Sequence, residues 1–163
     1  MINISQLDPR WKDMTFPGTT YKFGAYGCLT SCLCMLLDKD PIQFMAENPT
    51  GWLKTGDLKT DEVLAKYGYK LVRQHVKEGA PVPVRADRYI ARTSFMSPKY
   101  PTHFYIVNFD GTITDPGSMY NPKKENRYSK TTNEIRFLVK IGGPALSTRT
   151  LEERVARLES MIK

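Results

Sequence analysis

The longest apolar stretch of the chain is Tyr26-Gly27-Cys28-Leu29-Thr30-Ser31-Cys32-Leu33-Cys34-Met35-Leu36-Leu37. A glycine, a cysteine and then about three turns of almost unbroken apolar residues predict a buried helix with Cys28 in its first turn. Gly27 is expected to let the chain turn sharply into that helix. Residues 1–25 show little periodicity. Phe16-Pro17-Gly18-Thr19-Thr20 reads as a turn, and Trp11, Phe16, Tyr21 and Phe23 predict an arm packed onto the domain. Pro41 fits the first position of a short helix through Ala46. Thr60, followed by Asp61 and Glu62, starts another, which Gly68 stops.

At Tyr69 the period changes. Tyr69-Lys70-Leu71-Val72-Arg73 alternates as a strand, and Glu78-Gly79-Ala80-Pro81 turns the chain. Pro83 marks residues 82–92 as an edge strand or extended segment. Residues 94–102 read as loop. His103-Phe104-Tyr105-Ile106-Val107-Asn108-Phe109 is the clearest strand, with Asp110-Gly111 as a two-residue hairpin turn and Thr112-Ile113-Thr114-Asp115 as the return. Residues 119–132 are polar and read as an exposed loop, residues 134–141 alternate as a last strand, and Gly142-Gly143-Pro144 is a hinge. Residues 150–162 predict a helix with Leu151, Val155, Leu158 and Ile162 in an a/d seam. Two heptads are too short to stand alone in water, so this helix either docks or mediates self-association.

Helices first and strands after, joined by hairpins, predict α+β with N-terminal helices packed on a mostly antiparallel sheet. The division is one domain over residues 1–143 and a C-terminal helix over residues 144–163. A chain of 163 residues is large enough for a sizeable core.

No apolar run reaches membrane-spanning length, so no membrane span is expected. The start, Met1-Ile2-Asn3-Ile4-Ser5-Gln6, has neither a basic region nor an apolar core, which predicts a product made in the cytoplasm without a signal peptide. Access to an exterior would then come through a virus particle or lysis. The charge of +7 predicts attraction to an anionic partner. The basic residues are scattered and accompany no nucleic-acid motif, so specific nucleic-acid binding is not expected.

The three cysteines all fall within residues 28–34. A long-range disulfide within the chain is therefore excluded, and the intervals fit no common zinc pattern. Cys28 differs from the others by its place at a helix N-terminus, where partial positive charge favours a thiolate and unpaired N–H groups can hold an oxyanion. A thiol nucleophile needs a base, and there are two histidines. His75 lies among cations in Arg73-Gln74-His75-Val76-Lys77 and reads as solvated surface, whereas His103 opens the best strand. Asp115 is a candidate to orient the imidazole, with Asn108 and Asp110 as alternatives. A two-residue turn pairs Ile106 with Asp115, so contact with His103 requires a bulge, a bend or a neighbouring strand.

Gln6-x-Asp8-Pro9-x-Trp11, the Gly27-Cys28 block, His103 opening an apolar strand, Asp110-Gly111 and Asp115-Pro116-Gly117 together resemble the C39-like branch of papain-like cysteine peptidases. The resemblance spans residues 6–117, about two thirds of the chain. It departs from the commoner Gly-Cys-Gly-Pro-Thr-Ser form in having Leu29 and Thr30 after Cys28. It implies a papain-like fold and a triad of Cys28, His103 and Asp115, with Gln6 as a side-chain oxyanion donor and no cofactor or metal. The free-standing bacterial and phage members of this branch include enzymes acting on cell-wall peptides, which makes a peptide or peptidoglycan substrate the expectation. The alternatives are a catalytically silent module of a virus particle and a thioester acyltransferase.

Overall fold

In the computed structural model the described residues are 2–77, 85, 87–94, 102–117 and 132–142. They comprise helices α1 (Phe23–Tyr26), α2 (Cys28–Leu37), α3 (Pro41–Glu47) and α4 (Thr60–Lys66). Strands β1 (Tyr69–His75), β2 (Tyr89–Ser94), β3 (Thr102–Val107), β4 (Ile113–Thr114) and β5 (Thr132–Lys140) follow. The strands form one antiparallel sheet in the order β1-β5-β2-β3-β4. The α+β expectation is met, with helices leading and sheet following.

Helix α2 begins at Cys28, and its residues Thr30–Met35 are all buried. It ends at Asp38, whose left-handed backbone (φ 54°) stops the helix, with Lys39 N–H bonded back to the Cys34 carbonyl. Pro41 starts α3 behind Asp40, whose carboxylate accepts from the Ile42 and Gln43 N–H groups. The irregular N-terminal arm contributes to the same core. Trp11, Phe16 and Phe23 are buried, and Phe16 stacks on Trp52 with centroids 5.1 Å apart. Ile90, Ile106 and Leu71 bring the sheet into this cluster. A second cluster of Tyr89, Ala91, Tyr105, Val107 and Ile135 gathers the opposite set of alternating positions.

Three local expectations are corrected. Strand β2 is not an edge: it pairs with β5 on one side and β3 on the other. It begins at Tyr89, clear of Pro83, so the proline removes no donor from it. Gly27 has φ −83°, a conformation open to any residue, so no sharp turn demands it. Space does: an added Cβ would come within 2.4 Å of the Phe23 carbonyl oxygen and 2.7 Å of its ring. Third, the β3–β4 connection is a three-residue loop, Phe109-Asp110-Gly111. Asn108 N–H donates to Thr112 O, Gly111 N–H donates to Asn108 O, and Gly111 is left-handed at φ 82°.

Among the described residues no helix is long and apolar enough to cross a membrane. The C-terminal helix and almost all of the loop predicted at residues 119–132 lie outside the described residues, as does Pro83.

Candidate active site

Cys28 is half-buried at the mouth of α2, whereas Cys32 and Cys34 are fully buried behind it. Gly27, before the helix, supplies no side-chain cap, so among the described residues no side chain of that position takes up the N–H groups of the first turn. Burial pushes the thiols of Cys32 and Cys34 well up; for Cys32 the neighbouring Cys28 and Asp115 add to it. Only one of the three thiols therefore combines access with a polar setting.

His103 stands near the start of β3, paired with Thr93 of β2, and is 3% exposed. Its Nε2 lies 2.6 Å from Asp115 Oδ1, with both side chains almost fully enclosed. Cys28 lies near enough to the imidazole to help raise its basicity. Burial by itself would depress the imidazole's basicity, but the bond to Asp115 and the nearness of Cys28 outweigh it and raise the pKa to about 9. His75 is exposed, as its cationic surroundings suggested.

The hairpin loop explains how Asp115 reaches His103. The register Val107↔Ile113 and Ile106↔Thr114 is shifted by one residue from that of a two-residue turn. Continuing it one step brings Asp115 level with Tyr105, whose side chain points to the same face as that of His103. A two-residue turn would have sent Asp115 to the other face. The contact thus spans a diagonal across the hairpin, a reach that the aromatic ring of His103 supplies. Asp115 serves local turn chemistry as well, because its Oδ1 accepts from Gly117 N–H at 2.7 Å. Asn108 and Asp110, the alternative orienters, are engaged elsewhere. Asn108 bonds Arg88, Thr112 and Thr114, and Asp110 accepts from Thr112.

Gln6 is 7% exposed, and the irregular arm ties it to both halves of the site. Its backbone N–H donates to Pro116 O, next to Asp115, at 2.8 Å. Its Nε2 donates to Gly24 O, four residues before Cys28, at 2.9 Å. Gln6 Oε1 is buried with no partner among the described residues. These anchoring carbonyls, of Gly24 and Pro116, were not legible beforehand: backbone acceptors leave no mark on residue type, and α1 is a single turn with no periodicity to detect.

The arrangement can pass a proton from sulfur to imidazole while a carboxylate steadies the resulting imidazolium, beside first-turn N–H groups that suit a developing oxyanion. A cleft of about 590 Å³ opens at the other end of α2, between Met35, Asp38, Arg88 and Tyr89, away from this chemistry. No protein-family model matches the chain, and no curated protein or solved structure does so either.

Proposed function

We propose that this chain is a thiol hydrolase of the papain-like, C39-like type that cleaves an amide bond, with a peptidoglycan peptide as substrate. The observation that carries the reading is the grouping of Cys28, His103 and Asp115, with His103 Nε2 2.6 Å from Asp115 Oδ1 and Cys28 near enough to help raise the imidazole's basicity. Its order, sulfur to imidazole to carboxylate, is the one that nucleophilic acyl chemistry requires. His103 accepts the thiol proton, and the Cys28 sulfur attacks the amide carbonyl. The oxyanion meets the Cys28 N–H and the Gln6 side chain. The C–N bond then breaks as the imidazolium returns its proton to the departing amine. Water, deprotonated by the same imidazole, releases the acyl group as a carboxylic acid and restores the thiol. Asp115 holds the ring in one orientation throughout. The basic charge of the chain favours an anionic wall as the place of action.

The test is digestion of purified cell wall by the wild type and by Cys28→Ala, with release of new amino groups followed by mass spectrometry. Release by the wild type alone supports the reading. Equal release, or none, removes the wall peptide as substrate. If Cys28 is also no more reactive than Cys32 or Cys34, the chain is a silent module.

A further inference from the structure

The sheet carries a second group of charged side chains that this chemistry does not use. On one face β5 presents Glu134 and Arg136. Arg73 of β1 stands directly opposite Arg136, and Arg92 of β2 directly opposite Glu134. Phe104 of β3 pairs with Arg92, and the Arg136 guanidinium lies over its ring, 4.5 Å from the centroid. Glu134 is already committed to an ion pair with Arg136 Nε, and the two side chains are only 8% and 11% exposed. Among the described residues neither Arg73 nor Arg92 has an ion-pair or hydrogen-bond partner.

Three guanidinium groups therefore stand around one carboxylate, which pairs with only one of them. Like charges directly opposite one another across a ladder are destabilising, and Arg73 against Arg136 is such a pair. Burial lowers the basicity of Arg136; Glu134 partly restores it, while Arg73 and Arg92 oppose that. Arg73 and Arg92 rise from strands that flank β5, about 10 Å apart, and their long stems can lean over it from both sides. Guanidinium forks match planar oxyanions with paired hydrogen bonds.

We propose that Arg73, Arg92 and Arg136 form an oxyanion-binding site over β5, which takes a carboxylate or phosphate group. It does not depend on the thiol chemistry, so either can fail alone. The test titrates the full-length chain by calorimetry at about 0.15 M salt, with inorganic phosphate and, separately, with an acetylated tri-glutamate peptide. Arg73→Gln/Arg92→Gln should weaken binding at least tenfold, whereas Glu134→Gln, which frees Arg136 from its internal carboxylate, should tighten it severalfold. Lys12→Gln/Lys54→Gln removes the same net charge from exposed positions elsewhere and should leave binding within twofold. Binding of phosphate alone or of the peptide alone identifies the source of the oxyanion. Failure of both to bind the wild type overturns the proposal, as does an equal loss in the lysine variant. Should the double arginine variant not fold, Arg73→Gln, at an exposed position, carries the same comparison with a threefold loss expected.

Discussion

Asp115 meets His103 on a diagonal of the β3–β4 hairpin, Oδ1 to Nε2 at 2.6 Å, from a position level with Tyr105. The pair is almost fully enclosed, so its energetics are those of a buried ion pair and not of a surface contact. Removing one partner leaves the other desolvated without compensation. Asp115→Ala should therefore lower the unfolding free energy by about 3 kcal/mol. It should also slow Cys28 alkylation, because the imidazole loses its anchor. Urea denaturation measures the first effect. A loss below about 1 kcal/mol would mean that the pair is no more than a surface contact.

The pH dependence of stability follows from His103. Its pKa is raised from 6.5 to about 9 in the folded chain. The folded state thus holds the proton more tightly than the unfolded one. The extra stability is fully present below about pH 6.5 and is lost as pH rises through about 9. The decline across that window should reach about 3 kcal/mol at most. His103→Gln should flatten it, and a slope that survives the substitution would assign it to other groups.

Thiol reactivity should divide the cysteines. Iodoacetamide at neutral pH should modify Cys28 at least tenfold faster than Cys32 or Cys34, because those two are fully buried with raised thiol pKa values. Peptide mapping of a time course reads the three rates separately. Uniform, slow labelling would leave Cys28 an ordinary core thiol.

Gln6 separates nucleophile from oxyanion stabilisation. Gln6→Ala should leave Cys28 alkylation within a few-fold, since the hydrogen bonds of Gln6 run to the Gly24 and Pro116 carbonyls. It should lower Cys28-dependent amide cleavage by about 10²-fold, as loss of one oxyanion donor does. If alkylation and cleavage fall together, Gln6 acts by holding the arm against Gly24 and Pro116.

Gly27→Ala tests the steric reading of the residue before the nucleophile. With the Phe23 carbonyl and ring inside contact distance of the new methyl, overpacking should cost about 2 kcal/mol and shift the start of α2. The thermal midpoint measures the cost, and the Cys28 labelling rate reports the shift. An unchanged midpoint would show that Phe23 yields freely.

The sequence by itself determined the helices α2, α3 and α4, the strands β1, β3, β4 and β5, and the order of helices before sheet. Each rests on a local cause: an apolar run, a proline at a helix start, a glycine stop at Gly68, or alternation along a strand. It also singled out Cys28, His103 and Asp115 as candidates, because reactive residue types are visible wherever they stand, and Gln6 through the family resemblance alone. Tertiary structure decided the rest. The insertion of β5 between β1 and β2 pairs residues far apart in the chain, which no local pattern encodes. The face on which Asp115 emerges turned on a single loop residue, Gly111, since a register shift of one reverses every side chain after it. The tether of Gln6 runs through backbone carbonyls, which every residue type shares and no sequence can mark.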